Sequence, residues 1–194
     1  HIGQVGPIIQ KMVVSHLDDV ALQGARQVTA RWLFHDFFKD EFAKCRQGTV
    51  PQRKGVASVA AELLQERKYS GRCQDLLRQF MNDPEKEVRD ELRGIFRNKD
   101  LITDPEYAAF VKDYINSQAF ADDPDHFVWS LKDLAGSLIT VGDAIFAACE
   151  AFSTTLQEKT RDVGSPYPLM TSEISSILLR LYEQAQGNCN QQIA

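Results

Sequence analysis

The chain has 194 residues, of which 43% are hydrophobic and 25% are charged, and its formal net charge is −5 at pH 7. This composition is typical of an ordinary globular protein with ample apolar material for a core. No apolar run approaches the roughly 18 residues that a membrane-spanning helix needs, and no segment has the pattern of a signal peptide. We therefore expect a protein that does not enter a membrane.

The charge and the cysteines narrow the class of protein further. Residues 1–80 carry twelve Lys/Arg and eight Asp/Glu, a net of +4, so residues 81–194 carry −9. This polarity suits a protein partner better than nucleic acid, which usually selects a basic domain. The four cysteines are widely scattered, without C-x-x-C spacing. They predict free thiols in a reducing cytoplasm rather than a disulfide framework or a zinc site.

Helical periodicity dominates the chain from end to end. Apolar residues recur at steps of three and four in five stripes, which begin at Val20, Val56, Val88, Val128 and Ile174. Further helices are predicted ahead of each stripe, at residues 6–14, 36–46, 70–81, 105–118 and 141–158. Since no period-two pattern bounded by hairpin turns is present, the sequence predicts an all-α protein.

Three Asp-Pro dipeptides mark predicted helix starts: Asp83–Pro84, Asp104–Pro105 and Asp123–Pro124. At such a start an Asp oxygen can accept free backbone N–H groups, and Pro fits the first helical turn. Successive stripes begin 36, 32, 40 and 46 residues apart. This loose repeat of five helix pairs indicates an α-solenoid, in which stacked pairs share one continuous core. We expect one domain over residues 1–194.

The repeat resembles the HEAT family, in which an Asp, often with Pro, precedes Val-Arg near the start of the second helix. "DPEKEVRDELRGIF" at residues 83–96 matches through Asp83, Pro84, Val88 and Arg89. "DDPDHFVWSLKDL" matches partly through Asp123 and Pro124, and "DDVALQGARQV" matches partly as well. "KGVASVAAELL" lacks the Asp. The resemblance implies a right-handed superhelix, in which an Arg such as Arg89 ties neighbouring repeats together.

A second resemblance concerns residues 7–35, "PIIQKMVVSHLDDVALQGARQVTARWLFH". They are similar to the C-terminal helical regions of large bacterial signal-transducing NTPases of the STAND type, some of which act in defence against phage. The chain has no G-x-x-x-x-G-K-[ST] phosphate loop. The resemblance therefore implies a fragment of a longer protein, namely a sensor segment without its nucleotide-binding module.

Two groups of polar residues are candidate sites. The segment "KCRQGTVPQRK" carries Lys44, Arg46, Arg53 and Lys54 without any acid, so it could bind phosphate or an acidic surface, or be a solvated loop. The cluster Asp122, Asp123, Asp125 and His126 has the residue types of a metal site. Helix capping and favourable acidic charge at a helix start explain the same cluster, and we expect no metal or cofactor.

Catalytic signatures are missing from the sequence. There is no G-x-S-x-G and no paired-carboxylate arrangement, and Cys149 lies among apolar residues without a histidine close to it in sequence. We therefore expect a non-enzymatic module that binds a protein partner or positions other domains of its parent chain. Two alternatives stay open: a HEAT-like DNA repair glycosylase, which needs a basic groove, and a structural spacer or oligomerisation segment.

Overall fold

The structure is a computed structural model that describes residues 2–34 and 38–131, together with Ser176, Leu179 and Glu183. Across these described residues the chain forms helices and the turns between them, and no β-strand occurs. The all-α class is confirmed to that extent. The predicted helix at 141–158 and the start of the stripe at Ile174 lie outside the described residues.

The chain forms two compact units, His1–Ile95 and Phe96–Ala194. The helices of the first unit are α1 Ile2–Val13, α2 Asp18–Phe34, α3 Lys39–Arg46, α4 Val50–Gln65, α5 Ser70–Phe80 and the single turn α6 Lys86–Arg89, which continues into a 3-10 turn, Asp90–Leu92. The predicted helices at 6–14, 36–46 and 70–81 correspond to α1, α3 and α5. The prediction of one repeat domain stays a prediction.

The first unit is built around the long helices α2 and α4, which lie against each other. Helices α1 and α3 pack on α2, helices α3 and α5 pack on α4, and α4 also contacts α6 and its 3-10 turn. Helices α2, α4 and α6 therefore lie side by side, and α1, α3 and α5 pack on them. Most of the fully buried side chains of this core are apolar, among them Ala25, Val28, Val56, Ala60, Leu64, Leu77, Val88 and Leu92. The fully buried hydroxyl of Thr29 donates to the carbonyl oxygen of Ala25 at 2.8 Å.

Two glycines allow the helices of the first unit to approach closely. A Cβ added to Gly24 of α2 would lie 2.6 Å from the backbone nitrogen of Val13 in α1. A Cβ added to Gly55 of α4 would lie 2.5 Å from the carbonyl oxygen of Leu22 in α2. Separations below 3.0 Å are not tolerated, so both positions require glycine for packing rather than for an unusual backbone conformation.

The second unit begins at Phe96, within the 3-10 turn Ile95–Arg97. Its described elements are α7 Asp100–Thr103, a 3-10 turn Pro105–Tyr107, α8 Ala108–Ile115, α9 Gln118–Asp122 and α10 Pro124–Leu131. The core contains a cluster of aromatic rings. Phe96 meets Tyr114 at 4.9 Å and Phe127 at 5.1 Å between ring centroids, both edge to face, an arrangement that adds to the burial energy.

The main correction to the predicted helices concerns the third apolar stripe, which begins at Val88. Val88, Leu92, Ile95 and Phe96 were expected on one continuous helix, but α6 ends at Arg89 and two 3-10 turns follow. Phe96 has non-helical angles, with φ −92° and ψ 16°, and Gly94 between the turns weakens a helix by about 1 kcal/mol. The four apolar side chains are buried all the same, so the periodicity predicted burial correctly and helix length wrongly.

Because α2 and α4 approach closely at Gly55, one methyl group added at this position should change the free energy of unfolding strongly. Gly55→Ala should lower the free energy of unfolding by about 2 kcal/mol or more, because the new Cβ meets a backbone oxygen that cannot rotate away. Gly71→Ala is the matched control, since no atom lies within 4 Å of its added Cβ. That change should be neutral or stabilise α5 by up to about 1 kcal/mol. Urea unfolding followed by circular dichroism measures both, and equal effects would contradict the packing argument.

Candidate binding surface

The predicted basic segment spans the end of α3, the turn Gln47–Thr49 and the first turns of α4. Lys44 is exposed and Arg46 is half-buried on the last turn of α3. Thr49 and Gln52 form a reciprocal capping box that fixes the start of α4. Gln52 also donates a 2.7 Å hydrogen bond to the carbonyl oxygen of Val13, which ties this start to the end of α1. The local structure therefore separates Lys44 and Arg46 from Arg53 and Lys54.

Arg53 is held by the chain itself. Its Nε and Nη2 donate to the two carboxylate oxygens of Asp83 at 2.8 and 3.1 Å, and its Nη1 donates to the carbonyl oxygen of Gly48 at 2.6 Å. The side chains of Arg53 and Asp83 are only 17% and 6% exposed. A two-pronged pair of this kind, withdrawn from water, fixes geometry strongly. The prediction that Arg53 binds a ligand stays a prediction, but its guanidinium already joins α4 to the turn before α6.

Asp83, Pro84, Val88 and Arg89, the residues of the quoted motif, act together in the structure. The Asp83 carboxylate accepts a hydrogen bond from the backbone N–H of Glu85 at 2.9 Å. Glu85 is the N-cap of α6, so Asp83 braces the turn that leads into the helix. Arg89 donates to the carbonyl oxygens of Asp83 and Pro84, and Val88 is fully buried. Arg89 thus braces the turn before its own helix, whereas the bond from that turn to α4 comes from Arg53.

Lys54 lies beside Arg53 but faces a more open surface. Its Nζ lies 3.3 Å from the carboxylate of Glu87, and the Lys54 and Glu87 side chains are 24% and 72% exposed. A pair with one largely exposed member contributes little to stability because water and ions screen it. An external anion therefore competes more easily with Glu87 for Lys54 than with the buried Asp83 for Arg53.

A charged strip that the sequence reading missed runs across α2, α4 and the turn after α6. Arg26 of α2 donates to Ser58 Oγ at 2.7 Å and to the Glu62 carboxylate at 3.2 Å, both on α4. Partial burial raises the pKa of Glu91 above its ordinary value, while the positive charges of Lys54 and Arg26 act in the opposite direction. The sequence pattern that could have predicted this strip is the set of polar residues that recur at helical spacing beside the apolar stripes.

The acidic cluster behaves as a helix junction in the described residues. Asp122 accepts a 3.0 Å hydrogen bond from Gln118 within α9. Asp123 Oδ2 lies 3.5 Å from His126 Nδ1 across the start of α10 at Pro124. The side chain of Asp125 lies outside the described part. Among the residues that the structure describes, no three His, Cys, Asp or Glu side chains converge as a metal site would require.

Trp32 of α2 packs against its neighbouring helices. It stacks on Phe42 with ring centroids 3.9 Å apart, and the Arg72 guanidinium lies 5.3 Å above the Trp32 ring. Of the four cysteines, Cys45 and Cys73 are free and buried, whereas Cys149 and Cys189 lie outside the described residues.

Comparison of the chain with protein-family models, curated proteins and solved structures finds no match. The resemblances drawn from the residues therefore stay predictions. None of the described helices is both long enough and apolar enough to cross a membrane.

The buried Arg53–Asp83 pair predicts that Asp83 contributes far more to the free energy of unfolding than Glu87, the acid that pairs with Lys54. Asp83→Asn should cost about 3 kcal/mol of unfolding free energy, because it leaves the buried Arg53 guanidinium without its counter-charge. Glu87→Gln is the matched control, since Glu87 pairs with the neighbouring Lys54 on the exposed side. It should cost less than about 0.5 kcal/mol. If both variants lost equal unfolding free energy in chemical denaturation, the result would contradict a structural role of Arg53.

The buried thiols predict a loss of stability in alkali. Burial raises the pKa of Cys45 to about 11, with a smaller contribution from the charge of Glu41, and burial raises the pKa of Cys73 to about 11. From about pH 9 upward the unfolded chain releases these protons while the folded chain retains them, so stability should fall as the pH rises toward 11. The Cys45→Ala, Cys73→Ala double variant should show a shallower slope between these pH values, and an unchanged slope would contradict the assignment.

Proposed function

We propose that this chain is a non-catalytic protein-interaction or sensor module, built as a HEAT-like helical repeat scaffold. The observation that carries the proposal is the packing of the first unit. The longer second helices α2 and α4 lie side by side, α6 continues the row, and shorter first helices pack on them. A scaffold of this kind binds through an extended surface rather than through an enclosed reactive site.

The contacts between neighbouring helix pairs support the HEAT-like assignment. Gly55 meets Leu22 while Arg26 meets Ser58 and Glu62, so α2 and α4 run in the same direction. Parallel second helices are what stacked helix pairs require. The link from Arg53 to Asp83 then joins the pair α3–α4 to the next pair, α5–α6. We interpret this link as a tie between repeats of the kind that the family resemblance implies, with Arg53 as its donor where the resemblance implied Arg89.

The binding surface that we propose comprises Lys44 and Arg46 on the last turn of α3, with Lys54 of α4 as a further cation on the other side of the turn Gln47–Thr49. Lys44 is exposed, Arg46 and Lys54 are half-buried, and the Lys54 partner Glu87 is largely open to water. Exposed cations of one sign attract an acidic partner and accelerate its association, and this attraction weakens as salt increases. We infer an acidic protein surface as the partner, either on a separate protein or on another domain of the parent chain.

The proposed setting is the bacterial cytoplasm, where the chain would act as the sensor segment of a STAND-type NTPase. Its support is the similarity of residues 7–35 to such regions. The free and buried state of Cys45 and Cys73 is compatible with a reducing compartment. In this setting the repeat surface recognises a target, and the nucleotide-dependent response belongs to other parts of the parent protein.

A structural spacer or oligomerisation role is the second candidate, and the surface of the first hairpin favours it. Val5 and Ile8 of α1 are 39% and 59% exposed, and Val14 and Leu17 of the following turn are 77% and 57% exposed. Exposed large apolar side chains commonly mark a contact surface where they form one patch, and these four lie within one short stretch of the chain. A concentration-dependent oligomer in sedimentation velocity would favour this role, and a monomer would favour the sensor role.

Partner capture tests the proposed function. The full chain serves as bait in lysates of phage-infected and uninfected bacteria, and we expect capture of one discrete protein that is lost with the Lys44→Glu, Arg46→Glu double variant. Arg53 is left unchanged because its reversal would break the Asp83 pair.

The control for this capture is Arg67→Glu combined with Lys68→Glu, which changes the total charge equally at two exposed positions that follow the opposite end of α4. It should retain the partner. Capture of nothing by a folded bait, or equal loss in both double variants, would contradict recognition through Lys44 and Arg46.

A further inference from the structure

Lys54 of α4 faces an acid of its own chain before any partner binds. Its Nζ lies 3.3 Å from the carboxylate of Glu87, which belongs to the single turn α6. The Lys54 side chain is 24% exposed, so the surrounding protein restricts where its ammonium can lie, whereas the Glu87 side chain is 72% exposed. An acid of this chain therefore competes for the positive charge that the proposed surface offers to an acidic partner.

The second acid near Lys54 has a different environment. Glu91 stands four residues after Glu87, in the 3-10 turn Asp90–Leu92 that continues α6, and it is half-buried. Burial raises the pKa of Glu91, and the positive charges of Lys54 and Arg26 lower it. A half-buried carboxylate has less freedom to move than an exposed one. Glu87 is therefore the acid that an incoming partner can displace from Lys54.

The Lys54–Glu87 pair is of a kind that contributes little to stability but still affects binding. Exchange of one carboxylate for another at a partly exposed ammonium changes the free energy little, because the pair that is lost resembles the pair that is gained. Glu87 also repels any acid that approaches Lys54, since like charges at short range disfavour each other. Both effects lower the affinity for an acidic partner and leave the free energy of unfolding almost unchanged.

We infer that Glu87 is an autoinhibitory contact: its carboxylate holds Lys54 in the free chain, and an acidic partner must displace it to use this cation. The inference rests on the proposed function, because it assigns regulation to the same binding surface. A partner with one isolated carboxylate gains little at Lys54, since it only replaces Glu87. A partner with several closely spaced acids repels Glu87 and also engages Lys44 and Arg46. The contact thus selects dense negative charge.

A short oligoglutamate peptide is the probe that tests this inference on the full chain. The peptide carries a fluorophore, and its binding is measured by fluorescence anisotropy at low, fixed ionic strength. Glu87→Gln should raise the affinity about two- to fivefold, the factor that corresponds to the loss of one exposed ion pair. The variant should stay folded, because Glu87 is largely exposed and its pair contributes little to stability.

Glu85→Gln is the matched control for the change at Glu87. Glu85 is an exposed acid two residues earlier, and among the described contacts none joins its carboxylate to Lys54. Its replacement removes the same charge from the same turn and should alter the affinity less than about 1.5-fold. Lys54→Gln provides a second control. In that background Glu87→Gln should have no larger effect than Glu85→Gln, because the pair is already absent.

The outcomes separate this inference from the proposed function. Peptide binding that is lost with the Lys44→Glu, Arg46→Glu double variant and strengthened by Glu87→Gln would support both. The same binding without a gain in Glu87→Gln, or with equal gains in Glu87→Gln and Glu85→Gln, would overturn the autoinhibitory contact alone. A gain that persists in the Lys54→Gln background would overturn it as well. Failure of the peptide to bind either the wild type or Glu87→Gln would overturn the inference together with the acidic partner on which it rests.

Discussion

The position of α6 in the first unit depends on a buried ion pair between α4 and the turn before α6. Asp83 has almost no access to water, so the cost of burying its carboxylate must be offset locally. Arg53 provides the counter-charge through two hydrogen bonds, and the N–H of Glu85 provides a third. Because these bonds come from both sides of the junction, the pair sets the position of α6 against α4. Arg89 then holds the same turn through the carbonyl oxygens of Asp83 and Pro84.

The sequence predicted this part of the fold for identifiable physical reasons. Apolar periodicity depends only on local geometry, so the helices and their buried faces could be read directly, including Val56 in α4 and Leu77 in α5. Helix termination at α6 depends on tertiary packing and could not be read in the same way. Phe96 shows why: its ring is buried against Tyr114 and Phe127 although its backbone has left the helix. Burial and helix length are therefore separate properties of the same stripe.

The basic composition of the candidate site could be predicted from the sequence, but the direction in which each of its side chains points could not. The segment from Lys44 to Lys54 is basic in sequence, and it stays one stretch of chain in space, yet its members have different roles. The capping box at Thr49 fixes the start of α4 so that Arg53 turns inward to Asp83 while Lys54 meets the exposed Glu87. Adjacent residues on a helix point about 100° apart, which is enough to give Arg53 a buried carboxylate partner and Lys54 a largely exposed one. Charge counting alone cannot make that distinction.

The break in the third stripe also has a consequence for the second unit. A buried aromatic ring at Phe96 anchors the 3-10 turn to α8 and α10 through Tyr114 and Phe127. Arg97 follows directly after this anchor, and Phe127 directly follows His126 on α10. The same contact that ends the helical stripe thus brings Arg97 and Lys99 to the face of α10 that carries His126 and Ser130. A cavity of about 320 Å³ lined by these four described residues lies where the third stripe leaves helical geometry, because Phe96 both has non-helical angles and packs its ring on Phe127 of α10.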